Sequence, residues 1–427
     1  MNIKQATPSK NEYDVIVVGG GPSGSTAATL SAKNGLDVLL LDREQFPRFR
    51  VGESLMPATY PTFERLGVLD RLRKSEFPVK ASVQFFSPAG RSGAPFYFSE
   101  VNPGPDATTW QVDRVEFDKM LLDNAVENGV EVRQCVNVRD VRFEGSRAVG
   151  VLAELPDRSR HEIDAKVVVD ASGQSGVISR KLGLKEIDPK LRHMSYYTRF
   201  RGAVVDEGIN AGATLIYWTR EGRSWFWFIP LPDGIVSVGV VGPVDYLQRN
   251  GAADPRTIFD DELDNCPALK ERLEGAEHVA EVRVIRDFSY LSSRIAGDGW
   301  VLAGDAFGFL DPMYSTGVFL ALKSGELAAD AVADAFANND FSASRLGRHG
   351  ESFVAGMEAL RKLVYAYYDE AFSFQEFLER FPGFRDDLVN LLVGNVFDRP
   401  VDNLFEAMGE MCDLPEARTL QVLEERK

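Results

Sequence analysis

The spacing of apolar residues divides this chain into stretches of different period. Tyr13–Val18 (YDVIVV) and Asp37–Leu41 are short, continuous apolar runs, the pattern of strands buried in a parallel sheet. Between them, Gly19-Gly20-Gly21-Pro22-Ser23-Gly24 leads into a run of small residues, STAATLSAKNG, which predicts a helix. Together they read as one βαβ unit. Residues 45–75 are less regular, carry FRVGESLMP and end in a helical stretch, TYPTFERLGVLDRLRKS. Residues 79–86 (VKASVQFF) alternate as a strand, with Val79, Ala81, Val83 and Phe85 on one face and Lys80, Ser82 and Gln84 on the other. Residues 96–98 read as a further strand.

Val115–Asn128 predicts a helix, and strand patterns follow in VEVRQC and at 138–143, 148–154 and 162–170. From 190 to 245 the alternation is long and repeated (YYTRFRGAVV, TLIYWTR, SWFWFIPL, IVSVGVVG), which predicts an antiparallel sheet. Residues 255–275 look helical, strands return at 281–286 and 300–303, and a helix spans 316–337. The tail, 341–427, is rich in helix formers and aromatics and has no strand pattern.

At 427 residues, 44% hydrophobic and 26% charged, the chain is an ordinary globular protein large enough for two or three packed units. Its net charge of −16 argues against nucleic acid and against anionic membranes as partners. Cys135, Cys266 and Cys412 are widely spaced and suit a reducing cytosol; the four histidines form no metal-binding pattern. Residues 1–12 are polar and lack a signal core, and no apolar run is long enough to span a bilayer, so a cytoplasmic protein is expected.

Gly19-x-Gly21-x-x-Gly24 follows a strand, opens a helix and is trailed by the acidic Asp42 at the end of the next strand. Such glycines let the backbone approach a pyrophosphate at a helix N-terminus, and Asp42 can accept a ribose hydroxyl. A distant element, Trp300-Val-Leu-Ala-Gly304-Asp305-Ala, ends a strand where Asp305 can hold a ribityl chain. With Asp170-Ala-Ser-Gly173 and Trp110-x-Val-x-Arg114-x-x-Phe117-Asp118, the order of elements resembles the FAD-dependent monooxygenases, the class of the aromatic hydroxylases.

Three further signals resemble the flavin-dependent halogenases within that class. Trp225-Phe-Trp227-Phe-Ile229-Pro230 matches their W-x-W-x-I-P motif; Lys80 stands where they place a catalytic lysine; Ser315-Thr316-Gly317 matches their halide-binding turn. The bland alternatives are a strand with one aromatic face, a lysine on a solvated strand, an ordinary helix N-cap and, for Arg114, a surface residue at a helix start. One departure stands out: Tyr314 replaces the glutamate that tryptophan halogenases carry before S-T-G, so a phenol or pyrrole is a better substrate than an indole.

The resemblance covers residues 13–335. It implies an α/β, FAD-binding Rossmann-like domain of the aromatic hydroxylase type (1–75, 105–185 and 280–337), a β-sheet substrate domain (76–104 and 186–279) and a C-terminal helical subdomain (338–427). It places FAD on Gly19, Gly21, Ser23, Gly24, Asp42, Arg43, Arg114, Gly304, Asp305, Pro312 and Gly317, and chloride or bromide on Thr316 and Gly317. Trp225, Trp227 and Tyr314 would stand near the substrate. Reduced FAD, supplied by a separate flavin reductase, and O₂ would oxidise the halide to hypohalous acid, which Lys80 would hand to an electron-rich ring, free or tethered to a carrier protein. The −16 charge weighs against an acidic carrier unless a basic patch exists; Arg345, Arg348, Arg361 and Lys362 are the candidates, and read more readily as solvated charges. The alternatives are an aromatic hydroxylase that oxidises NAD(P)H itself, a geranylgeranyl-reductase-like enzyme, and a flavin-binding protein without chemistry.

Overall fold

The computed structural model describes residues 7–101, 103–248, 254–397 and 401–421; half of the polar N-terminal stretch read above, residues 1–6, lies outside them. The chain opens as β1 (Glu12–Val18), α1 (Pro22–Lys33), β2 (Val38–Asp42), α2 (Tyr60–Leu66), α3 (Leu69–Lys74), β3 (Val79–Lys80), β4 (Ser82–Phe86), β5 (Phe96–Tyr97), β6 (Thr109–Trp110) and α4 (Arg114–Glu127). It continues through β7 (Glu131–Gln134), β8 (Asn137–Glu144), β9 (Arg147–Glu154), β10 (Arg160–Asp170), α5 (Val177–Lys181), β11 (Lys185–Arg201), β12 (Thr214–Trp218), β13 (Trp225–Pro230) and β14 (Ile235–Pro243). Then come α6 (Val244–Leu247), α7 (Pro255–Asp264), α8 (Pro267–Arg272), β15 (Glu277–His278), β16 (Arg283–Ser292), β17 (Ala296–Gly297), β18 (Trp300–Leu302), β19 (Gly308–Phe309) and α9 (Thr316–Asn338). The tail is helical: α10 (Ala343–Leu346), α11 (Gly350–Tyr368), α12 (Phe374–Arg380), α13 (Arg385–Val393) and α14 (Asp402–Met408).

β18, β10, β1, β2 and β7 lie side by side as a parallel sheet, and β9 and β8 extend it antiparallel from β10. β1 and β2 are almost wholly buried because α1 covers one face, and α9 lies against α1. That contact is close: a Cβ on Gly325 of α9 would lie 2.4 Å from the Ser23 carbonyl oxygen. The second sheet runs β19-β16-β11-β14-β13-β12-β4-β5 and is antiparallel except where β12 meets β4.

The alternation over 79–86 does not hold as one strand. The chain changes sheets at Ala81: β3 pairs with β6, while β4 pairs with β12 and β5. The parity therefore shifts, leaving Val79 53% exposed and Lys80 4% exposed, with Ala81, Ser82 and Val83 also buried. Gly212 presses on this junction, since a Cβ there would sit 2.1 Å from the Val79 carbonyl oxygen.

The helical tail packs into the same apolar core as the parallel sheet. Phe353, Leu360, Leu363 and Phe405 belong to one continuous cluster with Val15, Leu40 and Val168. A second cluster joins the other face of the antiparallel sheet to α7 and α8, and a third gathers α2, α3 and α4. Among the described residues, no helix is long and apolar enough to cross a membrane.

Candidate functional site

The turn between β1 and α1 is shaped by what its glycines lack. Gly19 has φ +102°, and a Cβ there would meet the Ala171 carbonyl oxygen at 2.4 Å; one on Gly24 would meet the Gly19 carbonyl oxygen at 1.8 Å. Gly21 differs: its Cβ would find only Arg48 Nη2, at 3.4 Å, so its missing side chain is space. α1 has no side-chain cap, and Ser23 Oγ is buried without a partner. Unsatisfied N–H groups, an orphaned hydroxyl and a nearby guanidinium form an anion-binding end.

This end opens into a cavity of about 650 Å³ between the two sheets, within the range of ligand pockets. Gly19, Gly21, Ser23, Asp42, Arg43, Arg114, Trp225, Trp227, Gly304, Asp305, Pro312 and Gly317 all line it. Gly24, Lys80, Tyr314 and Thr316 do not; Gly24 lies beneath the turn and the other three behind the wall.

Asp42 uses both oxygens to hold the turn, accepting from the N–H groups of Gly20 (2.7 Å) and Glu44 (2.8 Å). Arg43 is exposed at the mouth and donates to Ser175 Oγ. Arg114 forks onto Asp118 (2.7 and 2.9 Å) and donates to the Val51 carbonyl, so it is fixed rather than free. Arg48 shares Asp118 at 2.8 Å. It lies one residue before the FRVGESLMP segment, and its own motif is silent; only the fold brings it to Gly21. Asp305 keeps some exposure to the cavity, yet burial pushes its carboxyl up to about 6, against the pull of Arg114 and Lys185.

At the start of α9, Ser315 takes the left-handed conformation (φ +57°) and donates its N–H to the Pro312 carbonyl. The helix has no side-chain cap, and a Cβ on Gly317 would meet nothing within 4 Å. The first amides of the helix have no partner within it, and Gly317 borders the cavity. Tyr314 is buried, its hydroxyl 3.4 Å from the Leu363 carbonyl, and burial holds the phenol well above its ordinary range. It is no base. Trp225 Nε1 donates to Tyr368 (2.9 Å), Tyr368 donates to Asp311 (3.0 Å), and Asp311 lies 3.0 Å from His193 Nδ1. Tyr368 and the adjacent Tyr367 come from α11, so the tail supplies aromatic residues beside the cavity wall that no motif announced. Trp227 fits because Gly239 has no side chain; a Cβ there would strike its ring at 2.3 Å.

Lys80 Nζ donates to Ser54 Oγ (2.9 Å) and the Leu55 carbonyl (3.0 Å) and lies over the Phe98 ring. Burial alone lowers its pKa to about 7. Ser54 Oγ is also 2.9 Å from Thr214 Oγ1, and Ser54 and Thr214 both line the cavity. Next to Ser54, the buried Glu53 pairs with Arg199 at 2.7 Å, which also holds Asp113. Desolvation still pushes the Glu53 carboxyl up.

Residues 12–335 match the family described as FAD binding domain. The chain is 33% identical to the 1H-pyrrole-2-carbonyl-[peptidyl-carrier protein] chlorinase of Pseudomonas fluorescens, covering 94% of each chain. It is 33% identical to the corresponding brominase of Pseudoalteromonas luteoviolacea, over 90% of this chain and 93% of that one. Its fold superposes on a solved flavin-dependent brominase with TM-score 0.82 and 32% identity, covering 93% of this chain and 98% of the other. The chain belongs to the flavin-dependent halogenases.

This halogenase is an oxidoreductase that works with FAD and a halide on the aromatic hydroxylase-type fold. Reduced FAD, when bound, would supply the electrons that reduce O₂ and so the oxidising equivalent for the halide. The residues fit that cofactor: orphaned Ser23 Oγ, the space at Gly21 and the open α1 terminus suit its pyrophosphate. The candidate basic patch does not form. Arg361 is buried between Asp188 and Glu358, not solvated; Arg345 and Arg348 pair with Asp334; Lys362 lies over Phe405.

Proposed function

We propose that this halogenase installs chlorine or bromine on a pyrrole-2-carbonyl group borne by a peptidyl carrier protein. The observation that carries the chemistry is a buried amine without a carboxylate partner among the described residues, joined through two hydroxyls to the cavity onto which the α9 turn opens. The names of the pyrrole-carrier relatives support the substrate. They outweigh the net charge of −16, which with no basic patch at the candidate residues counts against an acidic carrier. Tyr314 supports it too, because an electron-rich pyrrole needs no strong base to lose its ring proton.

In this reading Gly19, Gly21 and Ser23 hold the pyrophosphate on a turn that packs against Gly24, aided by Arg48, and Arg114 fixes the 51–52 backbone beside the flavin. Asp305 takes the ribityl chain, Asp42 and Arg43 the adenosine end. The amides of Thr316 and Gly317 hold the halide, and Lys80 governs its transfer to the ring. Ring carbon and halogen join as the O–X bond of hypohalous acid breaks, and water leaves. A separate flavin reductase supplies reduced FAD, and the protein works in the cytoplasm, where its three free cysteines stay reduced.

The test supplies reduced FAD, O₂ and bromide with three substrates: pyrrole-2-carbonyl on a carrier protein, free pyrrole-2-carboxylate and a free phenol. Mass spectrometry should find the bromine isotope doublet on the carrier-borne pyrrole. Bromination of the free phenol alone would overturn the substrate assignment. Hydroxylated product without bromine, or brisk substrate-stimulated oxidation of NAD(P)H when it replaces the reduced FAD with no reductase present, would overturn the halogenase reading.

A further inference from the structure

Lys80 is separated from the cavity by two hydroxyl groups whose places the backbone dictates. Ser54 forms an antiparallel bridge with Gln111, Leu55 donates its N–H to the Trp110 carbonyl (3.2 Å), and Val112 donates to the Glu53 carbonyl (2.7 Å). On the other edge of β6, Lys80 pairs with Thr109. Ser54 and Lys80 thus flank one short strand. Thr214, at the start of β12, closes the chain. The Gln111 amide donates to Thr214 Oγ1 (2.8 Å) and to the Gly212 carbonyl (2.9 Å), which ties the threonine to the same strand.

A hydroxyl has one hydrogen to give and two lone pairs to receive. Gln111 occupies one lone pair of Thr214, so only two orderings remain. With Lys80 as ammonium, Lys80 donates to Ser54, Ser54 to Thr214, and Thr214 points its hydrogen into the cavity. With Lys80 as amine, Thr214 donates to Ser54, Ser54 donates to the amine lone pair, and Thr214 becomes an acceptor. An ammonium has no lone pair and holds the first ordering; an amine can also receive the Ser54 hydrogen, so only loss of the Lys80 proton opens the ordering in which the cavity wall takes a hydrogen bond.

We propose that Ser54 and Thr214 relay the proton of Lys80 to hypohalous acid at the cavity wall, so that Lys80 activates the oxidant without touching it. This rests on the halogenase reading above and deepens it. As the ring attacks the halogen, the carbon–halogen bond forms and the O–X bond breaks. The departing hydroxide takes the Thr214 proton and leaves as water; Thr214 is refilled from Ser54, and Ser54 from Lys80, which becomes the amine. The proton lost by the ring enters at the Thr214 oxygen, now an acceptor, and returns through Ser54 to restore the ammonium.

The elements packed against Lys80 bring no charge to it. Glu53 is held by Arg199, Glu100 near Phe98 is paired with Arg385, and Thr109, Phe98 and Gln111 are neutral. Halogen transfer should therefore fall as pH rises through about 7, as the burial-lowered ammonium is lost.

Two experiments test this. The first follows the Lys80 Cε resonance in ¹³C-lysine-labelled protein against pH, assigned by its absence in Lys80→Ala, without FAD or substrate. Ser54→Ala removes an acceptor of the ammonium and should lower the titration by about one pH unit; Ser54→Thr should restore it. The second measures brominated product in the FAD-loaded enzyme. Ser54→Ala and Thr214→Val should each reduce transfer on the order of a hundredfold, with unchanged FAD affinity, and Thr214→Ser should recover it. A Lys80 titration unmoved in Ser54→Ala, or wild-type product and pH profile in Thr214→Val, overturns the relay. Absence of product from wild type on every ring overturns the halogenase reading, and the titration, which needs no turnover, judges the hydrogen-bond chain separately.

Discussion

The two ends of the cavity bury charge in opposite ways. At the nucleotide end, Asp305 sits within reach of Arg114 and Lys185, Arg48 and Arg114 share Asp118, and α1 presents uncapped amides. Charge there is abundant and, except at Asp305, closely paired, and the shape comes from missing side chains. At the Lys80 end one amine stands without a counter-charge among the described residues, and one hydroxyl and one carbonyl satisfy it. Binding a charged cofactor needs fixed opposite charge; moving a proton needs a group close to neutrality at working pH. The difference supports the proposal that one end binds the cofactor and the other transfers a proton.

The sharpest way to break the comparison is steric. Gly24→Val would drive a side chain into the Gly19 carbonyl and should abolish FAD binding and destabilise the domain, whereas Gly21→Ala enters open space beside Arg48. The alanine should weaken FAD binding on the order of tenfold and leave Tm unchanged. Fluorescence titration of FAD and thermal melts of both variants check this.

Next in size is Lys80→Met. The folded-state pKa of Lys80, about 7, lies below the ordinary lysine value of 10.5, so the unfolded chain binds more protons between those values. Stability contributed at this site is present at high pH and lost as pH falls through that window. Lys80→Met should flatten this slope and raise Tm near neutral pH by several degrees, on the order of 1–3 kcal/mol, while halogenation disappears. Melts from pH 6 to 10 measure it; a destabilised Lys80→Met would contradict the uncompensated burial.

Asp305 should show the reverse sign and a smaller effect. Its folded pKa of about 6 lies above 3.8, so its contribution is present below pH 3.8 and lost as pH rises to 6. Asp305→Asn should remove that loss and stabilise the FAD-free protein modestly, because Arg114 and Lys185 already offset part of the cost. FAD affinity should fall at the same time. A smaller effect still is expected for Tyr368→Phe, which cuts the Trp225–Tyr368–Asp311 chain and should lower stability by about 1 kcal/mol in a denaturant titration.

These two ends also differ in how far the sequence discloses them. The nucleotide end is legible because its determinants are local: strand, glycines and helix are contiguous, and Asp305 and Ser315-Thr316-Gly317 each lie at a predicted strand or helix end. The Lys80 end is only half legible. Lys80 itself stands out, but simple alternation does not predict that β3 and β4 belong to different sheets, because the break depends on Gly212, far along the chain. Ser54 is visible in VGES, yet its bonds to Lys80 and Thr214 arise only when three distant segments meet. Arg361 reads as a solvated tail charge and proves buried, since Asp188 lies across the fold. The tail tyrosines escape notice for the same reason.

The central claim is that oxidant formation and oxidant use occur at separate ends of one cavity. A single-turnover experiment tests it most directly: Lys80→Met loaded with reduced FAD is mixed with O₂, bromide and the carrier-borne pyrrole, and flavin reoxidation, released hypobromous acid and brominated pyrrole are followed together. The account predicts reoxidation at the wild-type rate, hypobromous acid escaping to a trapping dye, and no brominated pyrrole. Brominated pyrrole formed at the wild-type rate would contradict it.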